Sequence, residues 1–259
     1  MAKYNKLAGK HVLVIGGSKG IGRGVVEGSL EAGARVTLVG SSAKSTTEAV
    51  TEVKATYPSA SIVGIACDLS KDTAEQDLDA LFTQAKKDAG QEIDHVVLTA
   101  ADPLMVMSVE DITLEKIHKI AHMRLVVPAL VGKITARHLR KSTDCSLTLT
   151  TGGIADRPAP GWSVIAFMAA GLTGLARNLA LDLAPLRCNA VEPGAVDTPL
   201  WDSMANPEQK TAIMERLRKK MPTGKIGLAE DVAEAYIYLM KDGNATGEIL
   251  KTRGGADLV

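Results

Sequence analysis

Aromatic residues are scarce in this chain of 259 residues: two Phe, two Trp and four Tyr make up 3% of it. Any core must therefore be aliphatic, and a hydrophobic content of 46% supplies the Val, Ile, Leu and Ala for strands covered by helices on both faces. Cysteine is equally sparse. Cys67, Cys145 and Cys188 are odd in number and far apart, which excludes a disulfide framework and a thiolate metal site and points to a reducing, cytoplasmic setting. Neither sign of charge is in excess, since 30 basic residues balance 30 acidic ones, and the electrostatic footprint of a nucleic-acid partner is missing. The basic run Arg216-Leu-Arg-Lys-Lys220 reads as a solvated helix face. The polar start of the chain runs straight into a strand, so no secretory signal is expected. The apolar stretch 166–184 is interrupted by Arg177 and Asp182; it reads as a buried helix, and no membrane partner is expected.

What is present is an alternation. Short apolar runs (Val12–Ile15, Arg35–Val39, Ser61–Ala66, His95–Thr99, Ser146–Thr150, Arg187–Glu192 and about Glu248–Lys251) predict strands. Amphipathic segments of ten or more residues between them predict helices: Arg23–Ala32, Ser45–Thr56, Ala74–Ala89, Leu114–Leu139, Val164–Leu183 and Ala229–Met240. This pattern predicts a single α/β domain over residues 1–259, with a doubly wound parallel sheet between two helix layers. Ligands of such a sheet bind beyond the carboxyl ends of its strands.

The first strand runs into Gly16-Gly-Ser18-Lys19-Gly20-Ile21-Gly22, where glycines allow a tight turn and a close approach of backbone amides to a pyrophosphate at the following helix N-terminus. After the second strand stand Ser41 and Ser42, not the acidic residue that would hold a free ribose 2′-hydroxyl. With Lys19 inside the turn and Lys44 nearby, a 2′-phosphate is accommodated, and NADP(H) is expected over NAD(H).

Further segments resemble the short-chain dehydrogenase/reductase family along nearly the whole chain. Asp68-Leu69 resembles the family's adenine-contacting pair, and Leu98-Thr99-Ala100-Ala101 stands where the family usually has Asn-Asn-Ala-Gly. Pro193-Gly194-Ala-Val196-Asp-Thr198 is similar to its Pro-Gly-x-x-x-Thr element beside the nicotinamide, and 247–255 to its terminal strand and closing glycines. The resemblance implies a Rossmann-like fold, a nicotinamide cofactor contacted by Asp68, Leu69, Thr99, Gly194, Val196 and Thr198, a small-molecule substrate and a homo-oligomer, commonly a tetramer, built on the long paired helices. It also implies that 197–225 covers the pocket as a substrate-shaping lid.

The catalytic Tyr-x-x-x-Lys of that family is missing. None of the four Tyr has Lys four residues later, no Lys lies between Lys141 and Lys210, and Ile165 and Ala169 fall in the two places. Thr151, or Thr150, falls near the family's Ser, and Arg124 near its Asn, where it also borders the cofactor. Ile165 and Ala169 cannot donate a proton, and a guanidinium is a poor acid at neutral pH, so ketone reduction by the usual route is not expected. An iminium acceptor makes no such demand, because hydride addition yields a neutral amine. Asp102, Arg124 and Trp162 are the candidates to orient and wall a cationic guest in an apolar chamber beside Ile165. His118 and His122 share a helix face without a third ligand, and no metal is expected.

The combination of Arg124, the Pro-x-Pro-Gly-Trp loop and the lost Tyr-Lys pair resembles a fungal subgroup, the reductase/Diels–Alderases of prenylated indole alkaloid biosynthesis (the malbrancheamide and paraherquamide enzymes). That resemblance implies NADPH-dependent reduction of a cyclised precursor and a stereocontrolled [4+2] closure of the bicyclo[2.2.2]diazaoctane core. The subgroup has Asp in the loop where this chain has Ala159, either an inactivating substitution or a mark of shifted chemistry. Two alternatives stay open: a carbonyl or enone reductase with an atypical proton donor, and a catalytically silent NADP(H)-binding regulatory or scaffold protein.

Overall fold

The computed structural model describes residues 3–203 and 206–259. Seven strands form one all-parallel sheet in the order β3-β2-β1-β4-β5-β6-β7: β1 (His11–Ile15), β2 (Arg35–Gly40), β3 (Ile62–Ala66), β4 (His95–Leu98), β5 (Ser146–Thr150), β6 (Arg187–Pro193) and β7 (Ile249–Thr252). The chain order reverses beside β1, where β1 and β4 pair Val12 with His95 and Ile15 with Leu98, and this reversal is where a doubly wound sheet opens a ligand crevice.

Alternation along the strands divides the core. Leu13, Ile15, Val96, Leu98, Leu147 and Leu149 face α3 (Ala74–Ala89), α5 (Val127–His138) and α6 (Ser163–Asp182). Val12, Val14, Val36, Leu38, Val97 and Val191 face α1 (Gly20–Glu31), α2 (Ala43–Thr56) and α8 (Ala229–Lys241). A third, smaller cluster of Ile120, Val164, Ile165 and Met168 lies over the carboxyl edge, beneath α4 (Leu114–Ala121).

Two elements depart from the sequence reading. The helix expected over Leu114–Leu139 is split by a π-helical turn, His122–Val126, in which the Val127 N–H donates to the His122 carbonyl. Pro128 has no N–H for the Arg124 carbonyl and its ring crowds that group, so a widened turn just before it relieves the clash. Inside the expected lid, a further helix, α7 (Pro207–Arg218), starts at a capping box in which Asn206 and Gln209 each bond the other's backbone N–H. Met204 and Ala205 of that lid lie outside the described residues. Helix α6 is long and apolar enough to span a membrane and packs on β5 and β6. Only a third of its most apolar stretch is buried, and Phe167 and Leu181 are exposed, so it is not the fully buried helix that its composition predicts.

Candidate active site

The site is built on the carboxyl ends of β1, β2, β4, β5 and β6. After β1 the chain turns so sharply that Gly16 adopts φ +96°, and a Cβ there would lie 2.4 Å from the Ala100 nitrogen. Gly22 is tighter still, since its Cβ would fall 2.2 Å from the Gly16 carbonyl oxygen and 2.3 Å from Thr99 Oγ1. Thr99 holds this approach in place by sharing its hydroxyl hydrogen between the Ile15 and Gly16 carbonyls, each at 3.2 Å. Helix α1 then begins at Lys19 with no side-chain cap and no acidic residue in its first turn, which leaves its positive end open to an anion. Ser18 and Ile21 lie partly buried within the turn, and Thr198 packs 3.4 Å from where a Gly20 Cβ would be, so the 194–198 segment closes over it. Glycines packed too closely for any side chain, beside an uncapped helix, form the cradle that a dinucleotide pyrophosphate requires.

The segments expected on the adenosine side are more open. Lys19, Ser41, Ser42 and Lys44 are exposed. The Ser42 hydroxyl caps α2, accepting from the Ser45 N–H at 3.2 Å. Asp68 accepts from the Ser70 hydroxyl at 2.7 Å and its N–H at 3.1 Å, bonds that hold the carboxyl below its ordinary range. Leu69 is buried, and its carbonyl bonds His122 Nε2 at 2.8 Å, which ties this loop to the π-turn.

In the segment expected beside the nicotinamide, Gly194 donates to the Thr252 carbonyl at 2.9 Å, and Val196 bridges to Gly227. The Val196 carbonyl accepts from Trp201 Nε1 at 2.9 Å. Lys210 of α7 pairs with Asp197 at 3.2 Å and Asp202 at 2.9 Å, pinning the helix over this segment. A cleft of about 740 Å³ opens between α7 and 225–226, lined by Asp197, Lys210 and Met214 but by none of Asp102, Arg124, Trp162 or Ile165.

Arg124, carried on the π-turn, meets Asp102 beyond β4. Its Nη2 donates to the Asp102 main-chain carbonyl at 2.6 Å, and its Nε lies 2.9 Å from Asp102 Oδ1. Neither Nε nor Oδ1 is aligned for a full hydrogen bond, so each keeps unmet bonding capacity in a largely buried place. Burial outweighs the guanidinium and holds the Asp102 carboxyl above its usual range.

Across the mouth, the Ala159 carbonyl accepts from the Trp162 N–H at 3.2 Å, with Pro160 and Gly161 (φ +81°) at the corners, a type II turn. The Gly161 carbonyl takes the Met107 N–H at 2.9 Å, which fixes the turn to the loop after β4. Ala159 is exposed at the rim, while Trp162 leans on the third apolar cluster with Leu104, Met105 and Met107.

The places of the missing Tyr and Lys are filled. Ile165 is 3% exposed within that cluster, so the chamber expected beside it is occupied by Ile120, Val164 and Met168. Both candidate hydroxyls are engaged. Thr151 donates to the Ala169 carbonyl at 2.7 Å; Thr150 bonds the Leu98 carbonyl at 2.6 Å and the buried Tyr236 hydroxyl at 2.7 Å. Burial pushes the Tyr236 hydroxyl well above its ordinary range in any case, beyond use as an acid. The sequence reading missed Lys210 and its carboxylates, whose signal was the Asn206-Pro-Glu-Gln209 start of α7, and missed the buried Glu192–Arg253 pair behind the site, which left no local signal.

Comparison with known proteins agrees with this geometry. A model of the SDR-like Rossmann domain matches residues 3–259. The chain is 39% identical to the short-chain dehydrogenase/reductase fsr5 of Gibberella fujikuroi, over 98% of this chain and 97% of that one. It is also 39% identical to the short-chain dehydrogenase/reductase malC of Malbranchea aurantiaca, over 96% of this chain and 95% of that one. The solved MalC reductase/Diels–Alderase from the same organism superposes with a TM-score of 0.92 at 38% identity, covering 99% of each chain. With its nicotinamide-cofactor cradle, its parallel sheet and its full-length relatives, the chain belongs to the short-chain dehydrogenase/reductase family of oxidoreductases.

Proposed function

We propose that this chain is an NADPH-dependent reductase that also folds a prenylated indole alkaloid precursor for an intramolecular [4+2] cycloaddition. The observation that carries the reading is the Asp102–Arg124 pair, largely buried and incompletely bonded, with Trp162 on an apolar cluster and Ile165 and Ala169 in the places of the family's Tyr and Lys. A carbonyl acceptor would become an alkoxide and need a proton, which the family's Tyr supplies; here Ile165 and Ala169 replace Tyr and Lys, and both Thr hydroxyls are engaged. An iminium acceptor takes hydride as a pair of electrons and ends as a neutral amine.

The chain's residues would then divide the work. The Gly16–Gly22 turn and the start of α1 bind the pyrophosphate, and Lys19, Ser41 and Ser42 favour the 2′-phosphate of NADP(H). The cofactor, when bound, supplies the hydride. Asp102 offers a carboxylate to the cationic ring system, Arg124 holds that carboxylate and offers its remaining N–H groups to an amide oxygen, and Trp162 excludes water. The cycloaddition is unimolecular, so holding diene and alkene in one geometry is the main contribution the pocket can make. The 39% identity to malC, whose solved structure is described as a reductase/Diels–Alderase, supports the same reading.

The test is incubation with NADPH and the cyclised, prenylated Pro-Trp-type iminium precursor, with products resolved by chiral chromatography. One enantiomer in excess, with one NADPH oxidised per product, is expected. Asp102→Asn should lower kcat/KM about 30-fold with NADPH affinity little changed, the loss of one charged contact in the transition state. A racemic mixture formed equally well without the protein would defeat the proposal. Tight NADPH binding with no turnover of any acceptor would replace it with the silent-binder reading.

A further inference from the structure

Behind the pocket, one guanidinium gathers three carboxylates from separate parts of the chain. Arg253 follows β7, and its side chain is 4% exposed. Glu192, the penultimate residue of β6 and 1% exposed, is ion-paired with it. Asp156 Oδ2 lies 3.1 Å from its Nη2, and both oxygens of Asp257 lie 2.6 Å from its Nη1. Lys251 also pairs with Asp156.

These carboxylates belong to different walls. Glu192 immediately precedes Pro193 and Gly194, where the 194–198 segment starts. Asp156 ends the short 3-10 turn Gly153–Ala155 and opens the loop to the Ala159–Trp162 turn. Asp257 lies in the terminal segment, which meets the rim loop only where the Val259 carbonyl accepts from Arg157 Nη2 at 2.5 Å; the Asp257 carboxylate itself belongs to neither wall. The packing leaves little slack, since a Cβ on Gly194 would stand 3.0 Å from Arg253 Cα and one on Gly153 would stand 3.4 Å from its Nε. A buried guanidinium cannot shed its charge and cannot leave its partners cheaply, so what it holds moves together.

We infer that Arg253 is a positioning residue: through Glu192 and Asp156 it locks the Trp162 rim turn to the Gly194–Thr198 wall, so that both sides of the pocket keep one spacing. The inference rests on those two segments being the pocket walls in the proposed function. Its test, however, reads a side chain, not a product. Asp156 and Asp257 are similarly exposed, 44% and 40%, and meet the same guanidinium, yet only Asp156 is itself a residue of the rim loop.

In a Trp201→Phe background, which leaves Trp162 as the sole Trp, Asp156→Asn is expected to raise acrylamide quenching of Trp162 about threefold, the scale that partly exposed ion pairs support. It should also raise the precursor KM more than the NADPH Kd, while Asp257→Asn changes neither. Equal responses to the two substitutions, or unchanged quenching in Asp156→Asn, would overturn the inference. If quenching responds to Asp156→Asn alone but no precursor is consumed by the parent, the lock stands and the proposed function falls; stereoselective turnover with unresponsive quenching gives the opposite result.

Discussion

The two edges of the sheet are made of the same strands and treat polar groups in opposite ways. At the amino edge, buried polar side chains are closed on one another. His95 Nδ1 lies 2.9 Å from Ser146 Oγ, and His11 Nε2 lies 2.8 Å from Thr37 Oγ1. Asp94 takes the His11 N–H at 3.0 Å and Arg140 Nη2 at 2.6 Å, and Arg187 donates to the carbonyls of Thr143, Leu239 and Met240. At the carboxyl edge the α1 terminus is uncapped, Asp102 and Arg124 are incompletely bonded, and the glycine turn leaves backbone where side chains would be. Groups that satisfy one another build stability; groups left short of partners are available to a ligand. Substitutions at the two edges should therefore fail in different assays.

The largest effect is expected where the carboxyl edge has no room. Gly22→Ala would push a methyl group against the Gly16 carbonyl and Thr99 and spread the cradle. NADPH affinity should fall about 100-fold or more by fluorescence titration, while overpacking at this buried turn costs about 1–3 kcal/mol of stability and leaves the protein folded. If the fold melted along with cofactor binding, the two edges would not be separable.

The amino edge should answer to pH. Burial lowers the His95 pKa to about 3, against 6.5 for the unfolded chain. Between these values the unfolded state binds the extra proton, so this group's contribution to stability is present above pH 6.5 and is lost as pH falls toward 3. Two such values imply a loss of about 2 kcal/mol between pH 7 and 5. Burial lowers His11 in the same direction. Chemical denaturation at the two pH values checks this, and His95→Gln should flatten the profile. A His95→Gln profile as steep as the parent's would mean the amino edge is not the closed network described.

How much could be read from the sequence follows the same division. The Gly16–Gly22 turn, Thr99 and the 194–198 segment were legible because each steric demand there leaves a residue type behind: glycine where no Cβ fits, a short hydroxyl where two carbonyls must be held. The alternation of strands and helices was legible because both faces of the sheet need aliphatic side chains. The break at 122–126 was hidden because Ile117, Ala121 and Leu125 keep a helical spacing of four across it, and Pro128 was its clearest mark. The directions of the Thr150 and Thr151 hydroxyls were not legible, since the two neighbours point to opposite helix layers and their partners, Tyr236 and the Ala169 carbonyl, are distant in sequence. Arg253 and its carboxylates were invisible for the same reason. Polar pairs joined only by the tertiary fold leave no local pattern.

The smallest expected effect tests whether the carboxyl edge is merely open or is also short of one group. Ala159 occupies the first position of the Pro160-Gly161 turn with its methyl group exposed at the rim, so an Asp side chain fits there without disturbing the Trp162 N–H bond to the Ala159 carbonyl. Such a carboxylate would stand on the rim opposite Asp102 and Arg124, able to accept a proton or to pair with a cationic ring. Ala159→Asp should raise kcat on the iminium precursor about tenfold, below the usual range for a positioned acid or base because the site is solvated. Ala159→Asn, of the same shape without the charge, should leave the rate near the parent's. A gain shared by both variants would trace to packing of the turn; no gain in the Asp variant would mean that the rim position is spectator to the chemistry and that the pocket's work is done by the Asp102–Arg124 pair and Trp162.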